Sequence, residues 1–267
     1  MLGKLIKYEF KYTAGKYGLM YLILAAYTLF VLGIGLIPVN NPLLEITINM
    51  LSGVFFMVLI AVYVCSIGYA VIRFYKTMVS NEGYLTHTLP AKTEQIVFSK
   101  FLVAYIFQLI SFVMVAACGF LVLQQKVDLK IEDLFAQINE ELNVYGSAMI
   151  GWIVLILIFL LCTMAYQLLM YYVSISVGQM LQGNKIVGCV LGYVIINTVV
   201  QTFVMLVSLV ATFAVGLGIG SKELERVLES EAGLAALFIG ETALMFVLAI
   251  VGFFVTNYFL KKKLNLN

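Results

Sequence analysis

The chain has 267 residues, of which 63% are hydrophobic and only 11% are charged, and its formal net charge is +2. An ordinary soluble domain is about 45–50% apolar, so this composition excludes a soluble globular fold. The small net charge gives no basis for binding to nucleic acid, and we expect no such partner.

Long charge-free stretches dominate the sequence. Five lack charged residues, apart from Lys126 at one end, and a sixth holds only Glu241. Each exceeds the roughly 20 apolar residues that cross a bilayer. The sequence therefore predicts an all-α, multi-pass integral membrane protein, with one transmembrane domain over residues 1–267. The six predicted spans are about 17–37, 46–72, 100–123, 146–177, 186–219 and 234–259.

Residues 2–16 precede the first span and have an amphipathic pattern. We expect them to form an amphipathic helix that lies in the cytoplasmic membrane interface, in contact with anionic lipid headgroups. The alternative is a positively charged flank that only sets topology. The apolar face holds Leu2, Leu5, Ile6 and Phe10, and the basic face holds Lys4, Lys7 and Lys11.

Basic residues flank the spans unevenly, which predicts the orientation. If the N-terminus is inside, twelve of the 16 basic residues lie on the inner side, and both termini of this plasma-membrane protein are cytoplasmic. The inner residues are Lys4, Lys7, Lys11, Lys16, Arg73, Lys76, Lys92, Lys100, Lys185, Lys261, Lys262 and Lys263; the outer ones are Lys126, Lys130, Lys222 and Arg226.

The segment between spans 2 and 3 is the most informative polar part of the chain. Pro90 ends any short helix that precedes it, and Thr93 begins a helix that runs into span 3 with Glu94 in its first turn. Tyr84, Leu85 and Leu89 are apolar side chains on this cytoplasmic loop. They fit either docking into a partner's groove or contact with the membrane surface.

Further along the chain, one outer segment and a few positions within spans are notable. Residues 124–143 predict a short amphipathic helix at the outer surface. Gly188 and Gly192 permit close helix approach, within the chain or at a dimer seam. Glu241 is either an interfacial carboxylate or a cargo or gate residue. The amides within spans, which more often join helices than bind ligand, are Gln108, Gln167, Asn197 and Gln201.

Several chemistries lack their motifs. The sequence has no G-x-x-x-x-G-K-[ST] nucleotide loop, no H-E-x-x-H and a single histidine. The four cysteines, at positions 65, 118, 162 and 189, fall inside spans and are expected to be inert. We expect no catalytic residue, no metal site and no cofactor on this chain, and hence no enzyme activity of its own.

The loop sequence Glu82-Gly-Tyr-Leu-Thr-His-Thr-Leu-Pro90, followed by Lys100 at the start of a span, resembles the pattern between spans 2 and 3 of ABC-2 type permeases of Gram-positive bacteria. This resemblance implies a coupling helix that contacts a separate ABC ATPase, which binds ATP and Mg²⁺. The implied contact residues are Glu82, Gly83, Tyr84, Leu85, Thr86, Thr88, Leu89 and Pro90.

The resemblance also implies a second permease copy, as a homodimer, and an outer re-entrant helix pair before span 6. Residues 220–240 fit that pair, with 234–239 dipping into the membrane; the alternative is a plain surface helix that leads directly into span 6. The implied function is an ATP-driven exporter of an amphipathic or hydrophobic cargo, first of all a toxin or antimicrobial peptide. Alternatives are an exporter of lipid or drug-like amphiphiles and an energy-independent sensor or scaffold.

Overall fold

The computed structural model describes residues 2–37, 42–80, 83, 91–127, 146–180, 185–219 and 230–262, and these contain helices and no strand. Each of the six helices is long and apolar enough to cross a membrane. The prediction of an all-helical, six-span, multi-pass membrane protein is confirmed at this level. The helices are α1 (Leu2–Gly35), α2 (Pro42–Met78), α3 (Thr93–Val127), α4 (Ser147–Gly178), α5 (Lys185–Ile219) and α6 (Glu231–Lys262).

Residues 2–16 are helical, as predicted, and their position in the membrane interface stays a prediction. These residues and the first predicted span form one uninterrupted helix of 34 residues. No proline occurs before Pro38, and a glycine in a helix costs only about 1 kcal/mol relative to alanine, so Gly15 and Gly18 do not break it. Contacts from its first turns to α2 and α3, described below, hold this part of α1 within the helix bundle.

The expected membrane dip of residues 234–239 is wrong. These residues are part of α6, which runs through Gly240 without a break. Leucine and alanine dominate this stretch and favour a continuous helix. Two parts of the predicted outer segments lie outside the described residues. They are residues 220–229, before α6, and residues 128–145 of the predicted outer amphipathic helix.

The chain divides into two compact units, and each is described by itself. Unit 1 consists of Met1–Arg73 and Glu94–Gly146, and therefore contains α1, most of α2 and α3. One apolar cluster in this unit centres on Leu24, Phe55 and Val122. A second centres on Tyr17, whose ring stacks on Phe107 with centroids 4.7 Å apart. These two clusters pack α1 against α2 and α3 along much of its length.

Polar contacts in unit 1 join the same helices. The Tyr17 hydroxyl donates a hydrogen bond of 2.6 Å to the Ser66 carbonyl oxygen. At the far end of α1, the Gln125 amide nitrogen donates to the Leu32 carbonyl oxygen at 3.0 Å. The Gln125 side chain also lies over Gly35, where a Cβ atom would stand only 2.7 Å from it. Hydrogen bonds between helices thus supplement apolar packing, as is common within bilayers.

Unit 2 consists of Phe74–Thr93 and Ser147–Asn267, and α4 packs against both α5 and α6. The Phe238 ring of α6 lies edge-on to Trp152 and Phe159 of α4, at 5.9 and 5.7 Å. Farther along the pair, Gly252 of α6 lies against Val173 of α4. From the first contact to the second, the residue numbers rise along both helices, from Phe159 to Val173 on α4 and from Phe238 to Gly252 on α6. The two helices therefore run parallel.

Small residues bring α4 and α5 together. A Cβ atom on Gly178 would stand 2.5 Å from the Cys189 Cα atom, and one on Gly192 would stand 3.1 Å from the Ser174 carbonyl oxygen. Only glycine permits backbones to approach this closely. The prediction that Gly188 and Gly192 permit close helix approach is confirmed, and the approach is within the chain: the Gly188 carbonyl oxygen is among the atoms nearest Gly178.

Candidate functional site

The site predicted from sequence lies between α2 and α3, and the structure describes its two flanks. Of the predicted ATPase-contact residues, only Gly83 is described; it is buried, and its amide nitrogen donates to the Ser80 carbonyl oxygen at 2.7 Å. This hydrogen bond closes a turn just after α2. The other predicted contact residues lie outside the described residues: Glu82, Tyr84, Leu85, Thr86, Thr88, Leu89 and Pro90.

The last turns of α2 form the first flank, and they are packed rather than frayed. Phe74 and Met78 are fully buried, as is Val79 just beyond the helix. The Phe74 ring stacks on Tyr172 of α4 with centroids 3.7 Å apart and planes only 8° from parallel. Both rings are buried, since Tyr172 is also only 1% exposed. The chain therefore enters the loop from a fixed position.

The first turns of α3 form the second flank. The helix begins at Thr93 with Glu94 in its first turn, as predicted, where a carboxylate suits the helix dipole. Ile96 and Val97 are buried in the following turn. The Ser99 hydroxyl donates to the Ile96 carbonyl oxygen at 2.8 Å. Both ends of the loop are thus held by packed helix.

Unit 1 contains an ion cluster, two members of which are close in sequence to these flanks. The Arg73 guanidinium donates to both carboxylate oxygens of Glu9, at 2.7 and 3.2 Å. The Lys100 ammonium contacts the same carboxylate at 3.3 Å. The three side chains are only 8–16% exposed. One acid on α1 therefore joins the end of α2 to the start of α3.

Aromatic contacts support the cluster. The Arg73 guanidinium lies over the Tyr12 ring, 3.8 Å from its centroid, which is the geometry of a cation–π contact. Two residues before Tyr12 on α1, the Phe10 ring lies 4.9 Å from that of Phe107. These contacts place the first turns of α1 against α2 and α3.

Sequence reasoning missed this cluster, because its basic members were counted only as markers of topology. One signal was available: Glu9 is the only acid in the first 44 residues, and it lies among four lysines. An isolated acid in such a basic segment indicates a specific cationic partner. Its partners, 64 and 91 residues away in sequence, could not be identified without the fold.

The other predicted position, Glu241, is exposed on the third turn of α6. Among the described residues, no basic side chain pairs with it. The adjacent Thr242 is buried, and its hydroxyl donates to the Phe238 carbonyl oxygen within the helix. The described structure thus brings Glu241 into no polar cluster.

In the described part of the chain, no group of three His, Cys, Asp or Glu residues has a spacing that could hold a metal ion. All four cysteines are free thiols, and Cys118 is buried in the unit 1 core.

No known family model, no curated protein and no solved structure matches this chain.

Proposed function

We propose that this chain is the membrane subunit of an ATP-driven ABC exporter, and that a separate ATPase binds the loop between α2 and α3. The loop end of the bundle is then cytoplasmic, as are both termini, in the plasma membrane. The partner ATPase binds ATP and Mg²⁺ and supplies the energy. The resemblance of Glu82–Pro90 to a coupling segment motivates the proposal.

The observation that carries the proposal is the way both flanks of the loop are fixed. A segment that transmits force must be joined to rigid elements, because a frayed connection would absorb the displacement. Here the α2 flank is buried around Phe74 and Met78, and the α3 flank around Ile96 and Val97. A partner that displaces the loop would therefore move α2 and α3 directly.

The ion cluster supports the same interpretation. Glu9 joins Arg73, at the end of α2, to Lys100, near the start of α3. Its charge-assisted hydrogen bonds hold these two helix ends to α1. Displacement of the loop would thus be shared among three helices instead of bending one of them.

The cargo is proposed to be amphipathic or hydrophobic, with a toxin or antimicrobial peptide as the first candidate. A groove of about 340 Å³ between α2 and α3 supports an apolar cargo. Its lining, near the middle of both helices, offers almost no polar surface: Phe56, Leu59, Ile60, Tyr63, Phe112, Val115 and Ala116. The proposed assembly has two permease copies and two ATPases.

Co-purification tests this proposal. The chain is co-expressed with a candidate P-loop ATPase from the same genome and purified through a tag on the chain itself. We expect the ATPase to co-purify with wild type and its recovery to fall at least about tenfold with Tyr84→Ala/Leu85→Ala. The control, Tyr8→Ala, removes a tyrosine that is 72% exposed on α1 and is expected to retain the partner.

Two results would contradict the proposal. One is that no ATPase co-purifies with folded wild-type chain. The other is that the double variant retains the ATPase as well as the control does. Either result would favour the energy-independent sensor or scaffold.

A further inference from the structure

The first turns of α1 separate apolar from basic side chains, and the structure shows where each group lies. Ile6 packs against the cluster around Tyr17, and the Phe10 ring lies 4.9 Å from that of Phe107 on α3. These apolar side chains therefore contact other helices of unit 1. The opposite, outward side of the same turns carries exposed lysines: Lys4, Lys7 and Lys11.

These three lysines form one patch, which we call the lysine patch. At about 100° per residue, they lie within about 60° of one another around the helix axis and span about 10 Å along it. Glu9 lies about 160° from the centre of the patch, and it pairs with Arg73 and Lys100 instead. None of the three lysines has an ion-pair partner among the described residues. The fold thus removes the one nearby acid from the patch and leaves its positive charge uncompensated.

The outward side of α1 changes from basic to apolar along the helix. Leu22 and Leu29 are 11 and 18 residues beyond Lys11, which is three and five turns, so they lie on the same side as the patch. Each of these leucines is 70% exposed. Exposed leucines on a membrane-spanning helix lie at the depth of the acyl chains, and basic residues at its end lie at the depth of the headgroups. The lysine patch is therefore placed to contact lipid headgroups.

The charges of unit 2 do not complement the patch. The Phe74–Tyr172 stack and the parallel course of α4 and α6 bring the last turns of α2, α4 and α6 to one end of unit 2. The charged side chains described at that end, and between α2 and α3 in unit 2, are all exposed lysines: Lys76, Lys92, Lys261 and Lys262. Like charges repel, so charge complementarity favours an anionic partner from outside the chain.

We propose that the lysine patch binds the headgroup of an anionic phospholipid, with the lipid phosphate held by Lys7 and Lys11. Each ammonium group offers three hydrogen-bond donors to phosphate oxygens, and the flexible stem of lysine lets it reach the headgroup. Tyr8, three residues before Lys11, is 72% exposed, and its hydroxyl can donate to the same headgroup. The acyl chains extend along the side that carries Leu22 and Leu29. In the proposed orientation this end of α1 faces the inner leaflet, whose anionic lipids attract basic segments.

This inference goes beyond the proposed function, because it assigns a lipid ligand to the chain and requires neither an ATPase nor a cargo. An acidic protein surface is the other partner that a basic patch attracts. The exposed leucines farther along the same side favour lipid. A phospholipid carries its phosphate and its acyl chains in the order in which α1 presents lysines and leucines, whereas a soluble protein would contact the lysines alone.

Native mass spectrometry of the purified chain, without an ATPase, tests the inference. The chain in detergent micelles is titrated with dioleoyl phosphatidylglycerol and, separately, with dioleoyl phosphatidylcholine, which has the same acyl chains and no net charge. We expect the first phosphatidylglycerol to bind at least about tenfold more tightly than the first phosphatidylcholine. Each basic residue near an anionic surface strengthens the attraction about fivefold, so Lys7→Gln/Lys11→Gln should weaken phosphatidylglycerol binding at least about tenfold.

Two further variants make the result specific. Lys261→Gln/Lys262→Gln removes the same charge from the exposed end of α6 and should change the affinity less than about twofold. Lys7→Arg/Lys11→Arg keeps the charge of the patch and should retain the lipid. Equal affinity for the two lipids, or equal losses in the two glutamine variants, would overturn the proposal. Loss of a co-purifying ATPase in Lys7→Gln/Lys11→Gln, without any preference of wild type for phosphatidylglycerol, would also overturn it and assign the patch to a protein partner.

Discussion

Replacement of Glu9 by glutamine tests the role of the ion cluster. Glu9→Gln keeps the size of the side chain and removes its charge. The Arg73 guanidinium then loses a bidentate carboxylate at 2.7 and 3.2 Å, and the Lys100 ammonium loses its contact at 3.3 Å. The first four turns of α1 would be held less firmly against α2 and α3.

The expected cost follows from the burial of the cluster. Breaking a fully buried ion pair costs about 3–5 kcal/mol, whereas an exposed pair contributes about 0–1 kcal/mol. The three side chains are 8–16% exposed, so the lower end of the buried range applies. We therefore expect Glu9→Gln to lower the free energy of unfolding by about 3 kcal/mol. In a chain of this size, that corresponds to a fall in Tm of roughly 6–12 °C.

The assay is SDS-induced unfolding in mixed micelles, together with a thermal melt. A double-mutant cycle with Arg73→Gln should give a coupling energy of about 2 kcal/mol, because the two groups touch. Glu94→Gln is the matched control: it neutralises an exposed acid in the first turn of α3 and is expected to cost less than about 0.5 kcal/mol. Equal stability of the Glu9 and Glu94 variants, or zero coupling, would refute this account of the cluster.

Two further predictions concern packing and use the same unfolding assay. Gly178→Ala should destabilise the chain by about 2 kcal/mol, because its Cβ atom would stand 2.5 Å from the Cys189 backbone. Gly151→Ala is the control on the same helix. Its Cβ atom meets nothing within 4 Å, so this substitution should be neutral or slightly stabilising. Equal effects would contradict the close crossing of α4 and α5. Tyr17→Phe should cost about 1 kcal/mol through loss of its 2.6 Å hydrogen bond, while Tyr8→Phe, at an exposed position, should cost nothing measurable.

The six helices could be predicted from sequence because a bilayer demands long apolar stretches, and charge-free intervals show them directly. The start of α3 at Thr93 also followed from local signals, with Glu94 in its first turn. Such features depend on neighbouring residues and on the solvent. They need no knowledge of which helices touch.

Features that depend on tertiary contacts could not be predicted in the same way. The lysine spacing before the first span is compatible with an interfacial helix, and only the contacts of Glu9 and Phe10 show why α1 continues unbroken. The glycines at 188 and 192 predicted close approach, but not that Gly178 would face them. The predicted contact loop lies largely outside the described residues, so its role stays a prediction.

The central claim is that an ATPase binds the loop between α2 and α3, and photocrosslinking in intact membranes tests it most directly. A photoreactive amino acid is placed at position Leu85, and in a control at Lys261, which is exposed at the end of α6. We predict an adduct between the chain and the co-expressed ATPase from position 85 at several times the yield from position 261. No ATPase adduct from position 85, in a chain that is folded and inserted, would contradict the account.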